Sequence, residues 1–117
     1  MTPFGARLRE LREARGMTMK AMAAAIGVSP AYLSALEHGR RGRPTWDLLQ
    51  RIIGHLNIIW DEAEELERLA DLSHPRVVID TEGLSPKATE LANRLAERIH
   101  ALDDGLLDRL LDLIGRP

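Results

Sequence analysis

The sequence predicts an all-α fold: five helices in an N-terminal domain, a C-terminal helical extension, and at most one short strand between them. Three observations carry this expectation. Apolar residues recur at steps of three and four along nearly the whole chain. Hydroxyl residues stand where helices should begin, at Thr18, Ser29, Thr45 and Ser85, and two of them precede a proline that fits a first helical turn. Only residues 76–80, with Val77, Val78 and Ile79, form a β-branched run.

The elements follow in order. Phe4, Leu8, Leu11 and Ala14 share one face of a first helix that Gly16 ends. Thr18 caps a second helix over residues 19–25, and Gly27 stands where a left-handed residue would close it. Ser29 caps a third helix that runs to about His38 and stops at Gly39. Residues 40–44, Arg-Arg-Gly-Arg-Pro, form a basic turn. Thr45 caps a fourth helix with Leu48, Leu49, Ile52, Ile53 and Leu56 inward. A fifth runs over residues 61–72, with Ala63, Leu66, Leu69, Ala70 and Leu72 as its apolar positions. The character changes at Ser73-His74-Pro75. Ser85 caps a sixth helix, Gly105 is the expected break, and residues 106–114 make a short final helix. The expected organisation is a domain over residues 1–73, a linker with the possible strand over 74–86, and a helical dimerisation region over 87–117.

Composition narrows the function. With 117 residues and 44% hydrophobic content, the chain can build one packed domain with an extension. It has no cysteine, so disulfides, thiolate zinc sites and a cysteine nucleophile are excluded. The four aromatic residues, Phe4, Tyr32, Trp46 and Trp60, are too few for a reader that stacks single-stranded bases. Apolar runs are short, and the first residues lack a signal-peptide core, so a cytoplasmic location without membrane association is expected. The net charge of -2 hides an asymmetry. Through Trp60 there are nine basic and four acidic residues, net +5; beyond it there are seven basic and fourteen acidic, net -7. Such a split suits one part that meets a polyanion and another that does not.

The most informative stretch is residues 17–44, MTMKAMAAAIGVSPAYLSALEHGRRGRP. Two short helices flank a tight turn. Ala23 is small where the helices must cross, and Met22, Ile26, Val28, Leu33 and Leu36 are apolar where the pair must pack. That is a helix-turn-helix arrangement, whose second helix enters the DNA major groove. The turn glycine, the capped third helix ending in Leu-Glu-x-Gly and the basic turn before a proline together resemble the XRE, or lambda-repressor-like, family of DNA-binding regulators. The resemblance covers about residues 4–56 and is expected to include the fifth helix.

The resemblance implies roles. Ser29, Pro30, Ala31, Tyr32, Ser34 and Ala35 occupy positions that face base edges in that family. Here they offer hydroxyls, a phenol and methyl-sized groups in place of the usual long polar side chains. Readout would then rest on Tyr32 and Ser34, on thymine-methyl contacts from Ala31 or Ala35, and on DNA shape. Arg40, Arg41 and Arg43 suit phosphates, as do Met19 and Lys20 at the start of the second helix. Arg12 and Glu37 match a structural ion pair of the family.

The four histidines are too far apart to form a ligand pattern, and no phosphate loop or nucleophile elbow is present. The expectation is a non-enzyme without metal or cofactor. The second half carries an apolar seam: Ala88, Ala92, Leu95, Ile99 and Leu102, continued by Leu106, Leu107, Leu110, Leu111 and Ile114. With Leu91, Val77, Val78 and Ile79 it forms the expected homodimer surface, residues 76–80 serving either as a strand paired with a second copy or as a linker. The expected function is a homodimeric repressor on a pseudo-palindromic operator of double-stranded DNA. Two alternatives stay open: an antitoxin that gives the acidic half to a toxin, and a protein-interaction adaptor. RNA polymerase is a further candidate partner.

Overall fold

The structure, a computed structural model, describes residues 1–115; the end of the 87–117 segment lies outside them. Among the described residues seven α-helices follow one another: α1 (Pro3–Ala14), α2 (Met19–Ile26), α3 (Pro30–Glu37), α4 (Trp46–His55), α5 (Trp60–Asp71), α6 (Pro86–Arg98) and α7 (Asp104–Ile114). A 3₁₀ turn, Ile99–Ala101, follows α6. The described residues contain no strand. They divide into two compact units, Met1–Val77 and the chain from Val78 onward.

Local chemistry sets the helix starts. The hydroxyls of Thr2, Thr18, Ser29, Thr45 and Ser85 each accept an otherwise free N–H three residues on, at 3.0 to 3.3 Å. Asp103 does the same for α7, accepting from the Leu106 amide at 2.8 Å. This places the last break at Leu102, not at the expected Gly105. Gly105 lies inside the first turn of α7, where a glycine is tolerated beside a good cap. α5 starts one residue earlier than expected and has no side-chain cap.

In the first unit, α1 to α5 close around one apolar cluster. Phe4, Leu8, Met22, Leu33, Leu36 and Ile52 are fully buried at its centre, and Leu66 and Ala70 bring in α5. Ala23 is also fully buried, as its small size predicts. Two residues of the expected apolar pattern stay outside the cluster: Ala14 at the end of α1 and Leu72, which follows the end of α5, are exposed.

Three polar ties that the sequence does not announce fix this unit. The Ser73 hydroxyl accepts from the Phe4 amide at 2.9 Å and donates to the Leu69 carbonyl at 2.6 Å, fastening the end of α5 to the start of α1. Arg51 of α4 donates to the Ile26 carbonyl at 2.8 Å, satisfying the C-terminus of α2. Arg15 donates to the Leu56 carbonyl at 3.1 Å, doing the same at the end of α4. Close approach matters as well. A Cβ on Gly5 would overlap the Leu36 carbonyl oxygen and lie 2.8 Å from that of Glu37, so α1 and α3 meet where only glycine fits.

Residues 76–80, which span the boundary of the two units, are neither helix nor strand, so the short strand is not formed; one strand alone cannot satisfy its backbone groups. α6 and α7 bury no residue completely.

Candidate nucleic-acid interface

The α2–α3 pair turns by 106°. This lies within the range of a helix-turn-helix. Gly27 makes the turn in the left-handed conformation, at φ 77°, and its amide bonds back to the end of α2. The Val28 amide reaches the Ala23 carbonyl at 3.0 Å, so the turn is closed by the backbone itself. Met22 and Ile26 on α2, with Leu33 and Leu36 on α3, hold the pair to the core.

That packing leaves the other side of α3 outward. Ser29, Pro30 and Ala31 are exposed, and Tyr32, Ser34 and Ala35 are half-buried. The Ser29 hydroxyl is engaged as the cap, accepting from the Tyr32 amide at 3.1 Å. Ser34 is engaged with His38: His38 Nδ1 lies 2.8 Å from the Ser34 carbonyl oxygen and 3.3 Å from its hydroxyl. Tyr32 packs partly against the core, and its ring lies under the guanidinium of Arg41, 5.2 Å from the centroid.

At the base of α3 stands the ion pair. Arg12 of α1 meets Glu37 through two hydrogen bonds, at 2.8 and 3.2 Å, and also donates to the Met17 carbonyl at 2.9 Å. The Glu37 side chain is 1% exposed and that of Arg12 14%. The hydrogen bond to Glu37 raises the Arg12 pKa above its ordinary value, against the opposing effect of burial. The pair consumes the one carboxylate on α3, so it does not oppose an anion approaching that helix.

The arginines after α3 do not share one environment. Arg40 and Arg41 are exposed, and the Arg41 amide donates to the Ala35 carbonyl at 3.1 Å. Arg43 is bound to Asp71, at the end of α5, at 2.7 Å. On the α2 side, Lys20 is exposed and Met19 is half-buried against the core. Asp71, Arg51 and Gly5 stand outside the residues expected from the sequence, because each acts through a contact distant along the chain; His38, bound to Ser34 one helical turn back, stands outside them as well. No group of three acidic or histidine side chains among the described residues could hold a metal ion. No single described helix is long and apolar enough to cross a membrane.

A family model described as a helix-turn-helix domain matches residues 3–74. The chain belongs to the helix-turn-helix domain family. Membership agrees with the XRE-like resemblance read from residues 4–56. The matched segment of this helix-turn-helix protein contains all five helices of the first unit. Among relatives, the HTH-type transcriptional regulator RghRB of Bacillus subtilis is 38% identical over 61 residues, covering 52% of this chain and 44% of its own length. The HTH-type transcriptional repressor RghR of the same organism is also 38% identical over 61 residues, covering 52% and 45%. The HTH-type transcriptional regulator DdrOP3 of Deinococcus deserti is 41% identical over 66 residues, covering 56% and 50%. The chain thus spans about half the length of the curated relatives it matches. A solved structure titled SinR protein/SinI protein complex overlays 94% of this chain and 92% of that one, at 22% identity and a TM-score of 0.48.

Proposed function

We propose that this helix-turn-helix protein is a sequence-specific, double-stranded DNA-binding transcription regulator, a repressor acting as a homodimer on a pseudo-palindromic operator. The observation that carries this reading is the outward face of α3 bordered by a basic turn. A helix end offering small polar groups, with exposed Arg40 and Arg41 beside it, suits a major groove and its adjacent phosphates. The relatives named as transcriptional regulators, one of them a repressor, support the same reading.

In this proposal residues 1–73 bind DNA, with Ser29, Pro30, Ala31, Tyr32, Ser34 and Ala35 toward the bases. Arg40, Arg41, Arg43, Lys20 and the α2 start near Met19 lie toward phosphates. Residues 87–117 pair with a second copy through the seam of Leu91, Leu95, Ile99, Leu102, Leu106 and Leu110, extended by Val77, Val78 and Ile79. Two linked copies would read half-sites about one DNA turn apart.

The test is an electrophoretic shift on duplexes from the gene's own promoter at two salt concentrations. A retained shift over random competitor DNA is expected. Replacing Arg40 and Arg41 by Ala should weaken binding to all sequences alike and flatten the salt slope by about 0.9 for each phosphate no longer neutralised. An unchanged slope would remove these arginines from the interface. Absence of any shift at low salt would defeat the DNA-binding reading.

A further inference from the structure

The Tyr32–Arg41 contact carries an inference that rests on the DNA-binding reading and refines it. The two side chains come from different elements. Tyr32 sits in the first turn of α3, and Arg41 lies four residues past the end of that helix. Two restraints bring them together. The Arg41 amide donates to the Ala35 carbonyl at 3.1 Å, which folds the basic turn back along α3. The guanidinium then lies over the Tyr32 ring, 5.2 Å from its centroid, where the negative face of the ring attracts a cation.

A free arginine loses side-chain entropy when it settles on a phosphate. An arginine already laid on a ring loses less, and its planar fork keeps N–H groups available at its edge. The ring itself is held: Tyr32 packs partly against the core cluster, and the Ser29 hydroxyl anchors its backbone amide. Arg40 has no such platform among the described residues, and Arg43 is directed to Asp71.

We propose that Tyr32 is also a positioning residue: its ring face holds Arg41 for a phosphate contact, a role separate from any contact of its hydroxyl with the bases. The role is independent of sequence, because a phosphate carries no base identity.

A labelled random-sequence duplex, titrated with the full chain at two salt concentrations, tests this without knowledge of the operator. On a random duplex, where base contacts of the hydroxyl average out, Tyr32→Phe keeps the ring and should retain more affinity than Tyr32→Leu, with the salt slope of the natural protein. Tyr32→Leu keeps an apolar side chain but loses the ring face, and should weaken binding about two- to fivefold, the range for a cation–ring contact near the surface. Arg41→Ala should weaken binding and lower the salt slope by about 0.9. With Arg41→Ala already present, Tyr32→Leu should add nothing.

Two results would overturn the inference. A loss in Tyr32→Phe equal to that in Tyr32→Leu would assign the work to the hydroxyl. An undiminished Tyr32→Leu loss in the Arg41→Ala background would mean that Tyr32 acts through the fold or by its own contact. If the natural protein binds no duplex at low salt, the DNA-binding reading fails first, and the two failures are told apart.

Discussion

At the scale of single residues, the Arg12–Glu37 pair has the most to lose. Glu37 is buried at the end of α3, and its two oxygens are taken by the Arg12 guanidinium. Glu37→Ala would leave a mostly buried guanidinium with only the Met17 carbonyl as partner. Removing one member of a buried pair costs about 3–5 kcal/mol. The lower end is expected here, since 14% of the Arg12 side chain reaches water. Urea unfolding followed by circular dichroism measures it, and a loss below about 1 kcal/mol would mark the pair as effectively solvated. The pair's pH behaviour also has a sign. A raised Arg12 pKa means the stabilisation from this arginine is present at every pH below its ordinary value and fades only above it, so the arginine brings no titration near neutrality. Arg12 and Glu37 are legible in the sequence because the family resemblance pairs those two positions. Gly5 is not, because nothing local distinguishes a glycine required by a neighbouring carbonyl from one that is merely tolerated.

At the scale of elements, capping explains both what the sequence foretells and what it does not. Thr18, Ser29, Thr45 and Ser85 cap helices in the structure because a cap is a local event, complete within four residues. The α6–α7 break departs from the expected Gly105 because two local signals compete, and the aspartate cap at Asp103 overrides the glycine two residues later. The basic turn shows a limit of a different kind. Its arginines are obvious in the sequence, but their partners belong to other elements. Arg43 is held to Asp71 of α5, a bond between two exposed groups that water and salt weaken. A phosphate near Arg43 would compete with that carboxylate. Asp71→Asn should therefore leave folding stability within about 0.5 kcal/mol and tighten binding to a random duplex at low salt. The salt slope should rise by up to about 0.9 as one more cation is freed. Unchanged affinity and slope would place Arg43 away from the DNA.

At the scale of the whole molecule, the two units differ in what they can do alone, and the charge pattern changes meaning with them. The first unit has one continuous core; the second buries no described residue completely, while Leu91, Ile99, Leu106, Leu111 and Ile114 stay exposed. A unit of this size and exposure gains little from its own burial, and the proposed dimer would supply the missing cover. The sequence split of +5 and -7 at Trp60 cuts through the first unit, because acidic α5 packs with α1. Redrawn at Val77, the first unit has eleven basic and ten acidic residues and the second five and eight, so the first unit is nearly neutral and its exposed Arg40 and Arg41 are a local feature, not part of a basic half of the chain. Only the packing of α5 could reveal this. The proposed dimer is then an apolar association of the second unit, and it can be broken without touching the DNA face. Leu95→Asp combined with Ile99→Asp should yield a monomer in sedimentation equilibrium, with the thermal transition of the first unit retained. Binding to a duplex bearing one half-site should stay as it was. Binding to a duplex bearing two should fall toward the same value, because linking two sites multiplies affinity by about 10² or more only while both copies are joined. A variant that remains dimeric would move the interface off this seam, and an equal loss on both duplexes would show that the second unit acts on DNA directly.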